Sequence, residues 1–155
     1  MDTTDRKKRQ YQRLYNQLIN LLMVSPSAEA QMSTINAIIY HKINYTFWVG
    51  FYLRKNDRLT IGPYQGPLAC QELEYPHGVC WNSIIHKKPV IVADVSQFPD
   101  HIACDPRSKS ELVVPVKNTS GNIVGVFDVD SNRIAAFDET DLEGIEKIIR
   151  LLTFN

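Results

Sequence analysis

The stretch Tyr45-Thr46-Phe47-Trp48-Val49-Gly50-Phe51-Tyr52-Leu53-Arg54 is followed by Lys55-Asn56-Asp57-Arg58 and then by Leu59-Thr60-Ile61-Gly62-Pro63-Tyr64. The first run is rich in aromatic and β-branched residues, which suit a pleated, half-buried surface. The four polar residues read as a hairpin turn, so the second run returns antiparallel to the first. A second pair of the same kind lies downstream. Leu112 to Lys117 and Ile123 to Val129 flank the turn Asn118-Thr119-Ser120-Gly121-Asn122. A further apolar run, Val90-Ile91-Val92-Ala93, follows Pro89. Strands joined by hairpins build an antiparallel sheet.

Outward from the hairpins the period changes. Residues 5–23 place Leu14, Leu18, Leu21 and Leu22 on one helical face. Ser25-Pro26-Ser27 stops that helix and caps a second over about residues 27–42, with Met32, Ile35, Ala37, Ile38 and Ile39 as its apolar set. At the other end, Asp138-Glu139-Thr140-Asp141 opens a helix with acidic residues in its first turn, where the helix dipole favours them. Its apolar face is Leu142, Ile145, Ile148, Ile149 and Leu152. Residues 65–80, punctuated by Gly66, Pro67, Pro76 and Gly78, read mostly as loop. Residues 80–87 read as a short helix, and residues 94–110 as a long polar loop. Loops of that length in a compact domain tend to carry function. The fold class is α+β, a sheet covered by helices from both chain ends. One domain over residues 1–155 is expected: helices to 44, sheet and loops over 45–137, and a final helix from 138.

Bulk properties narrow the function. Apolar residues make up 44% and charged residues 22%, as in ordinary globular chains. Lys plus Arg and Asp plus Glu both total 17, so the formal net charge is zero. No excess of either sign points to nucleic acid or to an anionic membrane. The basic cluster Arg6 to Arg13 reads as the solvated start of a helix. No apolar run is long enough to span a bilayer, and Met1 to Asp5 lack a signal-peptide layout. The expected address is the cytoplasm.

Chemistry points to the thiols and a set of acids. Cys70, Cys80 and Cys104 are an odd number for a disulfide scaffold. Taken singly, each reads best as a small buried hydrophobe, and Cys80, beside Val79, Ile84 and Ile85, suits that reading most. Cys104 is the first candidate for an attacking thiol. It sits in the long polar loop three residues after His101, where backbone N–H groups can lower its pKa. Cys70 and Cys80 are candidate resolving thiols. Only His101-x-x-Cys104 has ligand-like spacing and there is no Cys-x-x-Cys, so neither a metal nor another cofactor is expected. Asp128 and Asp130 are two apart on a strand and share a face. Two carboxylates within the apolar run Ile123 to Val129 and just past it are costly to bury. Either the face is solvated or the strand has ended, or they form a pocket wall together with Glu111. Trp48 and Tyr52 also share a face. On their own they read first as ordinary core packing and only second as a pocket wall.

Several motifs in one order carry a resemblance. They are Trp48-Val49-Gly50-Phe51-Tyr52, Gly62-Pro63-Tyr64-Gln65-Gly66-Pro67-Leu68-Ala69-Cys70, Gly78-Val79-Cys80, and Asp100-His101-Ile102-Ala103-Cys104-Asp105. Ser110-Glu111-Leu112-Val113-Val114-Pro115 and Gly125-Val126-Phe127-Asp128-Val129-Asp130-Ser131 complete the set. From Trp48 to Phe137 the chain resembles the free methionine-(R)-sulfoxide reductases, which are GAF domains. Trp81 stands where that family has Gly, and His77 where it has Arg or Lys. The resemblance implies a GAF fold with an antiparallel sheet of about six strands, flanked by N- and C-terminal helices. It implies thiol-dependent reduction of free L-methionine-(R)-sulfoxide through a sulfenic acid and an intramolecular disulfide, with thioredoxin as reductant and a homodimer as the assembly. It places Cys104, Cys70, Cys80, Glu111, Asp128 and Asp130 in the catalytic set. Trp48 would pack on the substrate S-methyl group and Tyr52 would line the pocket. Glu111, Asp128 and Asp130 would also bind substrate, and one of them would supply a proton. The substrate carboxylate would meet backbone N–H groups at Ile102, Ala103 and Cys104, with Arg107 as a competitor for that role. A non-catalytic GAF module that binds a small ligand, or a redox sensor using the same cysteines, are the competing readings.

Overall fold

The computed structural model describes residues 2–155. Two helices open the chain, α1 (Thr3–Met23) and α2 (Ala28–Lys42). Strands β1 (Trp48–Lys55), β2 (Arg58–Gln65) and β3 (Glu72–Glu74) follow, then helix α3 (Gly78–His86). Strands β4 (Val90–Val92), β5 (Ser110–Lys117) and β6 (Ile123–Ser131) and helix α4 (Glu139–Ile149) complete the order. The strands form one antiparallel sheet in the order β3-β2-β1-β6-β5-β4. This is the α+β architecture expected from the two hairpins and the terminal helices.

Alternation along the central strands divides the molecule. Val49 and Phe51 of β1, Leu112, Val114 and Val116 of β5, and Phe127 and Val129 of β6 point to one face. There they meet α1, α2 and α4 through Leu14, Leu18, Ile35, Ile39, Ile145 and Ile148, all almost fully buried. Each such aliphatic side chain contributes roughly 1.5–3 kcal/mol on burial. The opposite face carries Trp48, Tyr52, Val113 and Val126, and is covered by α3 and by loops.

The helix ends obey local chemistry. Ser27 caps α2, its hydroxyl accepting from the Ala30 N–H at 3.1 Å. Asp138 caps α4 in a reciprocal box with Asp141. The buried stripe of α1 is Tyr11, Leu14, Leu18 and Leu22, whereas Leu21 is 55% exposed. A spacing of three, four and four follows the helical period, and at about 100° per residue Leu21 falls on the flank of that stripe. In α2 the polar Gln31 and Asn36 take core places that Ala37 and Ile38 do not. Asn36 donates to the Pro63 carbonyl at 2.7 Å, and Gln31 donates to the Leu22 carbonyl at 3.1 Å.

Three segments differ from the sequence expectation. Residues 65–80 contain β3 and the start of α3 as well as loop, and α3 spans Gly78–His86, not 80–87. The long loop carries a short 3-10 turn at Val95–Gln97. Strand β6 runs on to Ser131, so Asp130 lies within it, which removes the reading that the strand ends before the carboxylates. Among the described residues no helix is long and apolar enough to cross a membrane.

Candidate active site

Strand register builds the floor of a cavity on the α3 side of the sheet. Asp130 of β6 lies opposite Trp48 of β1 and Glu111 of β5. Asp128 lies opposite Gly50 and Val113 in the next row. Three carboxylates from two strands therefore face one space. Gly50 serves this packing directly: a Cβ there would stand 2.6 Å from the Trp48 ring and 2.5 Å from Tyr64 Cβ. The missing side chain lets the Trp48 indole lie over its own strand. It stacks there between Tyr64 and Tyr52, with centroids 5.5 and 6.0 Å away.

Helix α3 closes the floor from above. Cys80, its third residue, is buried and free, with Sγ 3.6 Å from Asp128 Oδ2. Ser108, in the loop before β5, donates to Asp130 Oδ1 at 2.6 Å. His101 Nε2 lies 3.5 Å from Glu111 Oε2. Two buried polar atoms on this floor, Asp128 Oδ1 and Trp48 Nε1, have no protein partner. A buried polar atom without a partner costs about 1–3 kcal/mol, and the Asp128 carboxyl offsets part of this through a hydrogen bond with the Glu111 carboxyl.

Electrostatics follow from the crowding. Burial, reinforced by Asp130, pushes the Glu111 carboxyl up to about 8. Burial and the neighbouring Glu111 raise Asp128 well above the carboxylate range, and burial with Asp128 nearby does the same to Asp130. The Cys80 thiol is pushed up by burial and then by Asp128. Buried acids this close cannot all ionise near neutrality, and the group retains protons. Burial also lowers His101, which favours the neutral ring.

The roof comes from two loops. Cys70 follows β2 and Cys104 lies in the long loop; they form a disulfide with Cα atoms 5.4 Å apart. The Tyr52 hydroxyl donates to the Cys70 carbonyl at 2.9 Å, which ties one loop to the sheet. Ile102 packs against Gly78, whose φ of +88° opens α3 in the left-handed region open to glycine.

Of the residues named from sequence, Trp48, Tyr52, Cys80, Ile102, Cys104, Glu111, Asp128 and Asp130 line the cavity. Cys70 joins them through its bond to Cys104. Ala103 is exposed and lies outside the lining. Arg107 is not among the lining residues: its guanidinium forks onto Asp105 at 2.7 and 3.0 Å and sits over the Phe47 ring, two groups that do line the cavity. His77 is exposed at the rim, 3.6 Å from Asp100. Trp81 points into the apolar layer beneath β3, donating to the Leu73 carbonyl at 2.9 Å. Sequence reading passed over Phe47, Tyr64 and Ser108. Phe47 and Tyr64 lay in the aromatic hairpin and were legible as candidates, whereas nothing local marked Ser108.

The sequence model of the GAF domain matches residues 38–154. "GAF domain-containing protein A" of Dictyostelium discoideum is 41% identical over 147 residues, 94% of this chain and 92% of that protein. The "free methionine-R-sulfoxide reductase" of Escherichia coli K12 is 35% identical over 140 residues, 88% of this chain and 83% of that protein. An X-ray structure of free methionine-R-sulfoxide reductase from Neisseria meningitidis, in complex with its substrate, superposes with a TM-score of 0.87 at 36% identity, covering 92% of this chain and 85% of that one.

Proposed function

The chain belongs to the free methionine-R-sulfoxide reductases, which are GAF domains, and from that membership we propose how its cavity works. It is an oxidoreductase of free methionine-(R)-sulfoxide. The observation that carries the assignment is Cys104, which lines a cavity floored by three carboxylates and is bonded to Cys70.

In the proposed cycle the Cys104 thiolate attacks the sulfoxide sulfur while the oxygen takes a proton from the floor. The oxygen ends on Cys104 as a sulfenic acid, and methionine leaves as the thioether. The Cys70 thiol then attacks the sulfenic sulfur. The hydroxyl departs with a proton as water, and the Cys70–Cys104 disulfide forms. A dithiol, thioredoxin, reopens it by exchange. Cys104 takes the attacking role because it faces the cavity, whereas Cys70 is not part of the lining. Cys80 serves in the floor: it is buried in α3 and outside the disulfide.

Glu111 is assigned as the proton donor. An acid titrating at about 8 is protonated at neutral pH and still exchanges its proton readily. Asp128 and Asp130 are left to receive the substrate ammonium. The Trp48 indole, backed by Tyr52 and Tyr64, offers an apolar wall to the S-methyl group. Fixing the methyl on that wall and the oxygen at Glu111 admits one epimer at the chiral sulfur. Backbone N–H groups of Ile102, Ala103 and Cys104 are assigned to the substrate carboxylate. The protein is placed in the cytoplasm as a homodimer. The apolar Leu21, Met23 and Val24, all exposed at the end of α1, offer a surface for that association.

The direct test is incubation with free methionine-(R)-sulfoxide and either dithiothreitol or thioredoxin, with methionine measured. The R form is converted; absence of turnover with that form overturns the reading. Methionine sulfoxide within a peptide is expected to stay unreduced, because its nitrogen and carbonyl are amides and cannot satisfy seats made for an ammonium and a carboxylate.

A pH profile tests the acid. The Glu111 carboxyl is raised from 4.5 to about 8, so kcat should fall as pH rises through about 8 and the donor ionises. Glu111→Gln should lower kcat by about 10²–10⁴-fold and remove that alkaline limb. Stability carries the same sign. The folded state holds this proton more tightly than the unfolded chain, so its contribution is complete below 4.5 and is lost by about 8. Urea midpoints of wild type should drop over that window more than those of Glu111→Gln.

A further inference from the structure

Cys80 is the one thiol that the proposed disulfide cycle leaves unused. Its Sγ, a Glu111 carboxylate oxygen and an Asp128 carboxylate oxygen all lie within 4.8 Å of one another, and all three residues are buried. Asp128 lines the cavity, is only 6% exposed, and its Oδ1 meets no N–H or hydroxyl donor of the protein. One thiol and two carboxylates form a donor set for a borderline-soft cation. With bonds of about 2.3 Å to sulfur and 2.0–2.2 Å to oxygen, a tetrahedral ion has sulfur–oxygen edges of roughly 3.5 Å. The Cys80 Sγ to Asp128 Oδ2 distance is 3.6 Å. The donors also sit on rigid elements, inside β5 and β6 and in the first turn of α3, so little has to move.

We propose that Cys80, Glu111 and Asp128 form a site for a thiophilic divalent cation, Zn²⁺ or Cd²⁺, on the cavity floor, and that the bound ion excludes the sulfoxide. The ion replaces the protons that the crowded floor otherwise retains. The thiol proton and the carboxyl protons pass to solvent, and no electron moves. Cys80, Glu111, Asp128 and His101 all line the cavity, and His101 Nε2, 3.5 Å from Glu111 Oε2, is the candidate fourth ligand. The sequence offered no ligand spacing for this, because the three donors come from three elements that meet only in the folded chain. Exclusion of substrate rests on the proposed function; binding of the ion does not.

The test uses the protein with the Cys70–Cys104 disulfide closed, a form in which Cys80 is the only thiol among the three cysteines. Titration with Cd²⁺ should raise an ultraviolet thiolate-to-metal charge-transfer band that saturates at one equivalent. Zn²⁺ should bleach it. Cys80→Ser should abolish the band, and Asp128→Asn, near isosteric and checked for fold by circular dichroism, should weaken binding at least about tenfold. No band in folded wild type, or an unchanged midpoint in Asp128→Asn, overturns the site. In turnover driven by thioredoxin and its reductase, Zn²⁺ should raise KM for the sulfoxide and leave kcat unchanged; a band without that rise overturns the exclusion. If metal-free protein reduces no sulfoxide while the band appears, the functional reading fails and the metal site stands.

Discussion

Cys104→Ser is expected to lower turnover of free methionine-(R)-sulfoxide by about 10³-fold or more, with thioredoxin and dithiothreitol alike. The hydroxyl is a far weaker nucleophile than a thiolate near neutral pH. It also cannot store the transferred oxygen as a species that a second thiol reduces. Cys70→Ser should behave differently. Its first step is intact, so without an external thiol it should release one methionine per protein and keep a sulfenic acid that a dimedone-type probe labels, whereas the wild type ends as the unlabelled disulfide. A burst in Cys104→Ser and none in Cys70→Ser would reverse the two roles. The same pair of variants bears on the competing readings, since a ligand-binding module or a redox sensor would release no methionine in either.

Asp141→Ala should be the most damaging change away from the cavity. Asp141 is fully buried at the start of α4, and one carboxylate gathers four donors. Oδ1 accepts from the Tyr11 hydroxyl at 2.9 Å and from the Tyr45 hydroxyl. Oδ2 accepts from Lys7 Nζ at 2.5 Å and from the Asp138 N–H at 2.9 Å. These bonds join α1, the segment entering β1, and α4. Removing the carboxylate leaves the Tyr11 and Tyr45 hydroxyls and the Asp138 N–H without their acceptor, and leaves the Lys7 ammonium with Asp138 alone, at 2.8 Å. Each buried donor left without an acceptor costs about 1–3 kcal/mol, so the three together cost several kcal/mol. Whole domains have only about 5–15 kcal/mol of net stability, so a large share goes with it. A thermal midpoint lower by roughly 10 °C is expected. Asp141→Asn should recover little, because its NH₂ would face donors. A loss below about 1 kcal/mol in urea titration would show that the cluster relaxes around the gap.

The fold was legible where periodicity ran long. Both hairpins, the terminal helices and the caps at Ser27 and Asp138 could be read from residue type and spacing. Strand β3 could not. Glu72-Leu73-Glu74 offers a single buried side chain between two acids, too short to show a period, and pairing with β2 alone makes it a strand. Helix α3 begins earlier than its sequence suggests: Pro76 and Gly78 read as loop punctuation, yet Gly78 is its first residue. That shift changes the site, because it moves Cys80 from the first residue of the expected helix to the third of the observed one. The carboxylate pair was legible as a shared face, but its burial was not, since burial depends on α3 and two loops arriving over β6. Ser108 owes its place to the fold of the loop before β5, which sets its hydroxyl on Asp130.

Strand β6 is asked to do two jobs with alternate residues: Phe127 and Val129 anchor the helices, while Asp128 and Asp130 face the cavity. Inserting or deleting one residue between them would swap the assignments, sending acids among leucines and a phenyl ring into the reaction chamber. Single replacements can therefore be explored on either side independently. The count of residues across this segment cannot drift, and in lineages descended from this fold any length variation should fall in the connections outside it.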